Sequence, residues 1–412
     1  PSGKSAALLL DFGETCFGHP VLKIAGANGG EVFDLLYDDC ITEQGIAIQN
    51  ENHMVVGDRL FCRAGANRFQ AFQPRGFRYL MLVARNIRKP VTIEVIGIEE
   101  LSYPAAQRGS FSCSDKLLNR IWETGVRTLR RCMADSFMDG PVSQQQGLAG
   151  ARIAGLTSCY ALGDTRLFRR ALHLAGESLR YVPDGVLMGV IPSERGDCVY
   201  LDYALHWLAA LDEYHLHTGD IALLREQRAA LERVLGFFAI LAGERGLLGP
   251  APHYRIFMDW SPGLDRGNLS ASLNLLYLHA LRHAVRIGQA LQDSGFTSHC
   301  QRSAAALSER IMMVFSSSHK NLLVESVDLN SGEPGDVVSQ HAIALAVIER
   351  VLGKREEDRT GATYEVLSSS SSSRRSSTSP TDRSCTHMLR AMYGAGMMPS
   401  RSRSSANISG VH

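Results

Sequence analysis

The chain has 412 residues, 45% hydrophobic and 21% charged, enough for two or three domains with a large core. With 43 basic and 42 acidic residues the formal net charge is +1, so the charge balance gives no reason to expect nucleic acid or a membrane surface as partner. No apolar run approaches the roughly 18–20 residues of a membrane span, and the nine cysteines, odd in number and without a C-x-x-C pair, argue against a disulfide framework or a zinc knuckle.

Several cysteines sit in apolar surroundings, as Cys159 does between Leu156 and Tyr160. Reduced, buried thiols are expected, which leans towards a cytoplasmic protein. The chain opens at Pro1 partway into strand-like sequence and is read as a fragment or processed product. Its first domain is expected to continue N-terminally in the intact gene product.

Residues 1–105 alternate short apolar runs with turns. The runs are Ala6–Phe12, Val21–Ile24, Val32–Leu36, Met54–Cys62, Arg78–Ala84 and Val91–Ile98; Asn28-Gly-Gly, Gly65-Ala-Asn and Lys89-Pro90 punctuate them. This spacing predicts an antiparallel β-sandwich. Ser112-Cys-Ser-Asp115 then has the form of a capping box. Leu117, Leu118, Ile121 and Trp122 follow at helical spacing, then Val126 and Leu129.

From there to about residue 352 the sequence is nearly all helical. One stretch interrupts it early: Asp135-Ser-Phe-Met-Asp139-Gly-Pro141-Val-Ser143-Gln144-Gln-Gln-Gly147. It is a polar turn between two apolar helices, a place where chemistry is often carried and also one that a plain hydrated loop would fill. Ala161-Leu-Gly163-Asp164 recurs as His217-Thr-Gly219-Asp220, 56 residues later. In each, Gly can end a helix in the left-handed conformation and Asp can cap the next. Helix hairpins of this size stack into an α-solenoid or close into an α/α toroid.

The 203–216 helix, with Leu205, Trp207, Leu208 and Leu211, is apolar over much of its surface, as an inner helix would be. Near Pro192–Gly196 the acids are Glu194 and Asp197, with Asp202 placed to cap the next helix. The prolines 250, 252 and 262 enclose His253, Tyr254 and Phe257-Met-Asp259-Trp260. A rigid loop of aromatics with an acid fits sugar stacking as well as a hydrophobic plug. Helices are predicted at Leu269–Leu291, Ser298–Phe315 and Gln340–Leu352. Residues 367–412, with six serines at 368–373 followed by more Ser and Arg, form a tail that cannot bury a core. It is read as degenerate or disordered.

Together these stretches resemble the family 78 glycoside hydrolases, the α-L-rhamnosidases. Pro74-Arg-Gly-Phe-Arg-Tyr79 is similar to the family's G-F-R-Y strand. Gly109–Asp115 with Leu118-Asn119-Arg-Ile-Trp122 is similar to its first barrel helix. Asp139-Gly-Pro141 is similar to the start of its catalytic loop, D-x-P-x-R-E-Q followed by W-x-G-D. Phe257-Met-Asp259-Trp260 and Ser339-Gln-His341-Ala-Ile-Ala344 have counterparts as well. The resemblance implies a mainly α protein: an (α/α)6 six-hairpin toroid over 106–366, preceded by the β-sandwich. It implies inverting hydrolysis of terminal α-L-rhamnosides; no cofactor is expected, and no metal site is evident in the sequence.

An inverting glycosidase needs a carboxylic acid to protonate the leaving oxygen and a carboxylate about 6.5–9.5 Å away to activate water. This sequence departs from that pattern. The family's acid falls at Ser143 or Gln144, and its loop aspartate at Gly150 or Ala151; none of these is a carboxylate. An amide has no useful acidic proton, so Gln144 can bind a sugar but cannot be a general acid. No equivalent of the family's basic glutamate is read near the C-terminal end.

Asp139 remains as a candidate catalytic acid, sugar-contacting by the resemblance, with Glu194, Asp197, Asp202 and Asp259 as further candidate carboxylates for catalysis; Asp139, Asp259 and Trp260 are expected to share a pocket. Glu194, Asp202, Trp207 and His253 are further candidates for the substrate. The functional readings that follow are a rhamnosidase-like hydrolase with impaired turnover, a non-catalytic sugar-binding barrel or decayed gene product, and an α-solenoid scaffold for protein partners.

Overall fold

The computed structural model describes residues 4–42, 57–142, 148–182, 185–191, 199–261, 263–265, 267–317 and 322–351. They fall into two compact units, one ending at Leu167 and the other beginning at Phe168. The Ser/Arg tail, Gln144, Glu194 and Asp197 lie outside the described residues.

The first unit is built on one long strand. β1 (Lys4–Asn28) joins the two runs expected as separate strands. Its first half pairs antiparallel with β5 (Arg75–Ile87), Leu8 facing Leu82. Its second half lies between β4 (Ala64–Gln70) and β6 (Thr92–Glu100), so that Leu22 has Phe69 on one side and Ile96 on the other. β2 (Val32–Asp38) takes the other edge of β5, and β3 (Gly57–Phe61) pairs with β2.

All six strands make one antiparallel sheet. β1 bends through register breaks between Asp11 and Cys16 and between Ile24 and Ala27. At Gly18 a Cβ would stand 2.1 Å from the Glu99 carbonyl oxygen, so the strands can approach this closely only at a glycine. Alternation then fills one face: Phe33, Leu35 and Tyr37 of β2 pack with Leu22, Ile24, Phe77, Leu80 and Leu82.

Two local expectations are corrected. Gly65-Ala-Asn lies inside β4, because the turn closes earlier. There the Asn67 amide accepts from the Arg63 N–H at 2.9 Å and donates to the Arg63 carbonyl at 2.8 Å. At α1 (Lys116–Arg131), Asp115 is itself the N-cap, accepting from the Leu117 N–H at 2.7 Å, so Ser112 does not cap the helix. Leu117, Leu118 and Ile121 are exposed, and α1 buries Val126 and Leu129 instead. The remaining helix of this unit is α2 (Leu148–Ala161).

The second unit is helical, as predicted. α3 (Arg166–Glu177) begins at the unit boundary. It is followed by α4 (Leu201–Thr218), α5 (Ile221–Glu226), α6 (Arg228–Ala242), α7 (Ala271–Ala290), α8 (Ser294–Phe315) and α9 (Gln340–Ile348). The recurring Gly-Asp pair performs as read. Gly219 closes α4 at φ 69°, and Asp220 caps α5 by accepting from the Leu223 N–H at 3.1 Å. Gly163 has φ 62°, and Asp164 accepts from the Arg166 N–H at 3.0 Å.

α4 packs on α7, and α7 on α8 and α9. α4 and α7 are buried around most of their circumference, the character expected of inner helices. Glu325, fully buried, accepts hydrogen bonds from Ser270 (2.7 Å), Ser272 (2.5 Å) and Ser339. Ser270 and Ser339 are the N-caps of α7 and α9, so one carboxylate fixes the starts of both helices. Among the described residues no helix is long and apolar enough to cross a membrane.

Candidate functional site

At the N-terminal end of α4 the chain is held against the proline-bounded loop. The Arg255 N–H donates to the Val199 carbonyl at 3.0 Å and the Leu201 N–H to the Arg255 carbonyl at 2.9 Å. One residue further on, the buried Asp202 carboxylate accepts the N–H groups of Phe257 (3.0 Å) and Met258 (2.9 Å). Met258 takes φ 52°, a conformation unfavourable for a side chain with a Cβ. The Asp259 N–H then donates to the Phe257 carbonyl, and the Trp260 N–H to Asp259 Oδ1, both at 2.6 Å. Asp202 thereby takes two of the loop's backbone donors, and the Phe257 carbonyl and Asp259 carboxylate take the next two.

This shape presents an aromatic wall. Phe257 and Trp260 meet edge to face at 5.0 Å, Tyr203 meets Phe257 likewise at 6.3 Å, and Tyr200 stacks on Tyr203 at 4.9 Å. The Arg255 guanidinium lies over the Tyr200 ring, 5.9 Å from its centroid. Tyr200, Tyr254, Arg255, Phe257, Trp260 and Ser261 line a pocket of about 500 Å³. Trp260 is 79% exposed, and its indole face is open for stacking. Beside it, Asp259 Oδ2 lies 2.9 Å from His341 Nε2, and both side chains are mostly buried. The site therefore combines apolar ring faces with an acid and an imidazole, groups that can grip hydroxyls.

The predicted residues divide. Trp260 lines this pocket, whereas the neighbouring Asp259 does not and turns to His341. Asp202 is not open to a ligand: it is buried and committed to the loop's amides, so it positions the wall. Trp207 is a correction, because it is fully buried in the helical core with its indole N–H donating to the Leu172 carbonyl at 3.0 Å. His253 is exposed in the turn before Tyr254 and does not line the pocket.

Asp139 belongs to the first unit, next to Met138, whose N–H donates to the Cys132 carbonyl at 2.8 Å. Its side chain is exposed, and crowding by the surrounding protein raises its carboxyl above the usual carboxylate value. The residues missed by sequence reasoning are Tyr200, Tyr203, Arg255 and His341. His341 stood in the quoted Ser339–Ala344 stretch without being singled out. One further grouping, Glu213, His279 and His283, brings possible metal-ligand atoms within 4.8 Å of one another on α4 and α7.

The family model of the bacterial α-L-rhamnosidase six-hairpin glycosidase domain matches residues 106–366. Among solved structures, the family 78 rhamnosidase of Bacillus sp. GL1 is 27% identical, with a TM-score of 0.80 over 87% of this chain and 37% of that one. The rhamnosidase of Klebsiella oxytoca, solved with rhamnose bound, is 17% identical with a TM-score of 0.73, covering 87% of this chain and 71% of that one. The Streptomyces avermitilis α-L-rhamnosidase in complex with L-rhamnose is 16% identical with a TM-score of 0.66, over 88% of this chain and 34% of that one. The last two likenesses concern the fold alone. The chain thus spans little more than a third of the length of the Bacillus enzyme. No curated protein sequence matches it significantly. With its six-hairpin domain matched over 106–366, the chain belongs to the bacterial α-L-rhamnosidase six-hairpin glycosidases of glycoside hydrolase family 78.

Proposed function

We propose that the chain recognises a terminal α-L-rhamnosyl group in the Tyr200–Trp260 pocket, and that its hydrolytic turnover is very low. The observation that carries the reading is the aromatic wall of Phe257 and Trp260 beside the Asp259–His341 pair, in a domain of this family. A 6-deoxysugar has an apolar face and methyl group for the rings and vicinal hydroxyls for the acid and imidazole. Asp139, in the first unit, keeps from its D-x-P stretch the reading of a sugar-contacting acid. The β-sheet is read as the core of the β-sandwich that accompanies the family's barrel. Free thiols at the described cysteines support a cytoplasmic location.

Low turnover follows from the amide at Gln144. Protonation of the leaving oxygen typically contributes about 10²–10⁴-fold, or roughly 3–5 kcal/mol of barrier. Without it an alkyl aglycone must depart as a strongly basic alkoxide. A nitrophenolate leaves with little protonation, so an activated aryl rhamnoside suffers less. Natural alkyl rhamnosides are expected to be inert, aryl rhamnosides slow, and L-rhamnose to bind.

The test has two parts. Calorimetric titration with L-rhamnose, beside Trp260→Ala, reads binding; no binding by the unmodified chain would refute the pocket assignment. Assays on alkyl and nitrophenyl α-L-rhamnosides, beside Gln144→Glu, read chemistry. Efficient cleavage of the alkyl substrate by the unmodified chain would refute the low-turnover reading and require another proton donor.

A further inference from the structure

Towards the other end of α4, Glu213 projects into a cluster with His279 and His283 of α7. Along α4 this is about 16 Å from Asp202, at 1.5 Å per residue. The two histidines are four residues apart on one helix, so their side chains share a face. Their Nε2 atoms stand 3.0 Å apart. Each Nδ1 faces a carboxylate: His283 Nδ1 is 2.8 Å from Asp212 Oδ2, and His279 Nδ1 is 2.7 Å from Glu349 Oε1.

Glu349 at His279 Nδ1 favours the tautomer with hydrogen there and the lone pair on Nε2. His283 Nδ1 meets both Asp212 and the donor Arg286 Nη2, and when Arg286 turns wholly to Asp212 it takes the same tautomer, leaving two Nε2 lone pairs that repel unless a cation stands between them. Arg286 completes the surroundings: its Nε donates to Asp212 at 2.6 Å, and its Nη2 lies 2.7 Å from His283 Nδ1. Arg282 pairs with Glu349 at 3.0 Å.

We propose that Glu213, His279 and His283 form a site for a divalent transition-metal ion of the zinc type that ties α4 to α7. Two imidazoles and one carboxylate are a donor set such ions take, with a fourth position left for water. Nitrogens bound at about 2.0–2.1 Å in a tetrahedron lie about 3.3–3.4 Å apart, so the observed pair has to open by only about 0.3–0.4 Å. Asp212 and Glu349 stand behind the imidazoles as orienting acceptors. With neutral imidazoles the cluster carries three carboxylates against two guanidiniums, a balance that a dication reverses by a single charge. Glu213 and His279 are only partly buried, which gives the ion a path in. The alternative without metal is a proton shared between the two Nε2 atoms, with Arg286 donating to His283 Nδ1.

The experiment uses the full chain, stripped with chelator and titrated with Zn²⁺ by calorimetry, with Co²⁺ absorption reporting the ligand field. The expected result is one ion per chain, a melting temperature that rises with Zn²⁺, and affinity weakened at least about ten-fold in both His279→Gln and Glu213→Gln. Circular dichroism checks that these conservative variants at partly exposed positions fold. A folded unmodified chain that takes up no stoichiometric Zn²⁺ would overturn the proposal in favour of the shared proton. Unchanged affinity in either variant would also overturn it, by placing the ion elsewhere.

Discussion

Asp202→Ala tests how the pocket wall is held. The substitution removes the acceptor of two amides, those of Phe257 and Met258. A buried N–H left without a partner costs about 1–3 kcal/mol. Both residues are half-buried, so water recovers part of that, and about 2–3 kcal/mol is expected for the pair. At 1.36 kcal/mol per factor of ten this raises the population of the opened loop about 30–150-fold. Met258 would also be released from its positive φ, which favours opening further. Hydrogen exchange over residues 255–260 reads the effect directly, and the affinity for L-rhamnose should fall with it. Asp202→Asn keeps one carbonyl oxygen and should show a smaller effect in the same direction. Unchanged exchange of this segment in Asp202→Ala would refute the view that a buried anion shapes the wall.

Two further outcomes follow from the same kind of accounting. Glu325→Ala removes the acceptor of three serine hydroxyls where two helices start, and should lower stability by more than about 3 kcal/mol in chemical denaturation. The Asp164 carboxyl is held below its ordinary value of 3.8, chiefly by the hydrogen bond from Arg166 and against the effect of burial. Its contribution to stability is therefore full above that ordinary value and is lost as pH falls through the lower folded value. Asp164→Asn should flatten this part of the acid limb in denaturation midpoints measured across pH, while an unchanged acid limb would contradict the assignment.

The switch from period-two to helical patterning near residue 110 was legible because each pattern matches the face it buries. The Gly163-Asp164 and Gly219-Asp220 pairs were legible for a similar reason, since left-handed caps demand particular residues. The stacking potential of Trp260 could be read from composition among prolines. The role of Asp202 could not: an acid near the start of a helix looks like its cap, and only the fold brings residue 257 to it. Trp207 misled in the opposite sense, because an aromatic on an inner helix reads the same whether it faces a ligand or a neighbouring carbonyl. The Leu117–Ile121 face showed helical spacing, but spacing does not say what covers a face. The His279-x-x-x-His283 spacing was present as a signal, yet its third ligand sits on another helix 66 residues earlier.

The long first strand also governs the order in which this chain can acquire structure. Lys4 pairs with Ile87 and Gly18 with Glu100, so the most distant partners of each half of β1 lie more than 80 residues away. Closing loops of that length costs entropy before any contact compensates. During synthesis the apolar residues of β1 cannot find their complete register until Glu100 has emerged. The hairpin of α7 and α8, by contrast, needs only its own adjoining sequence. The β-sheet is thus a part of the nascent chain whose sticky edges stay open for long, although it is made before the helices of the second unit.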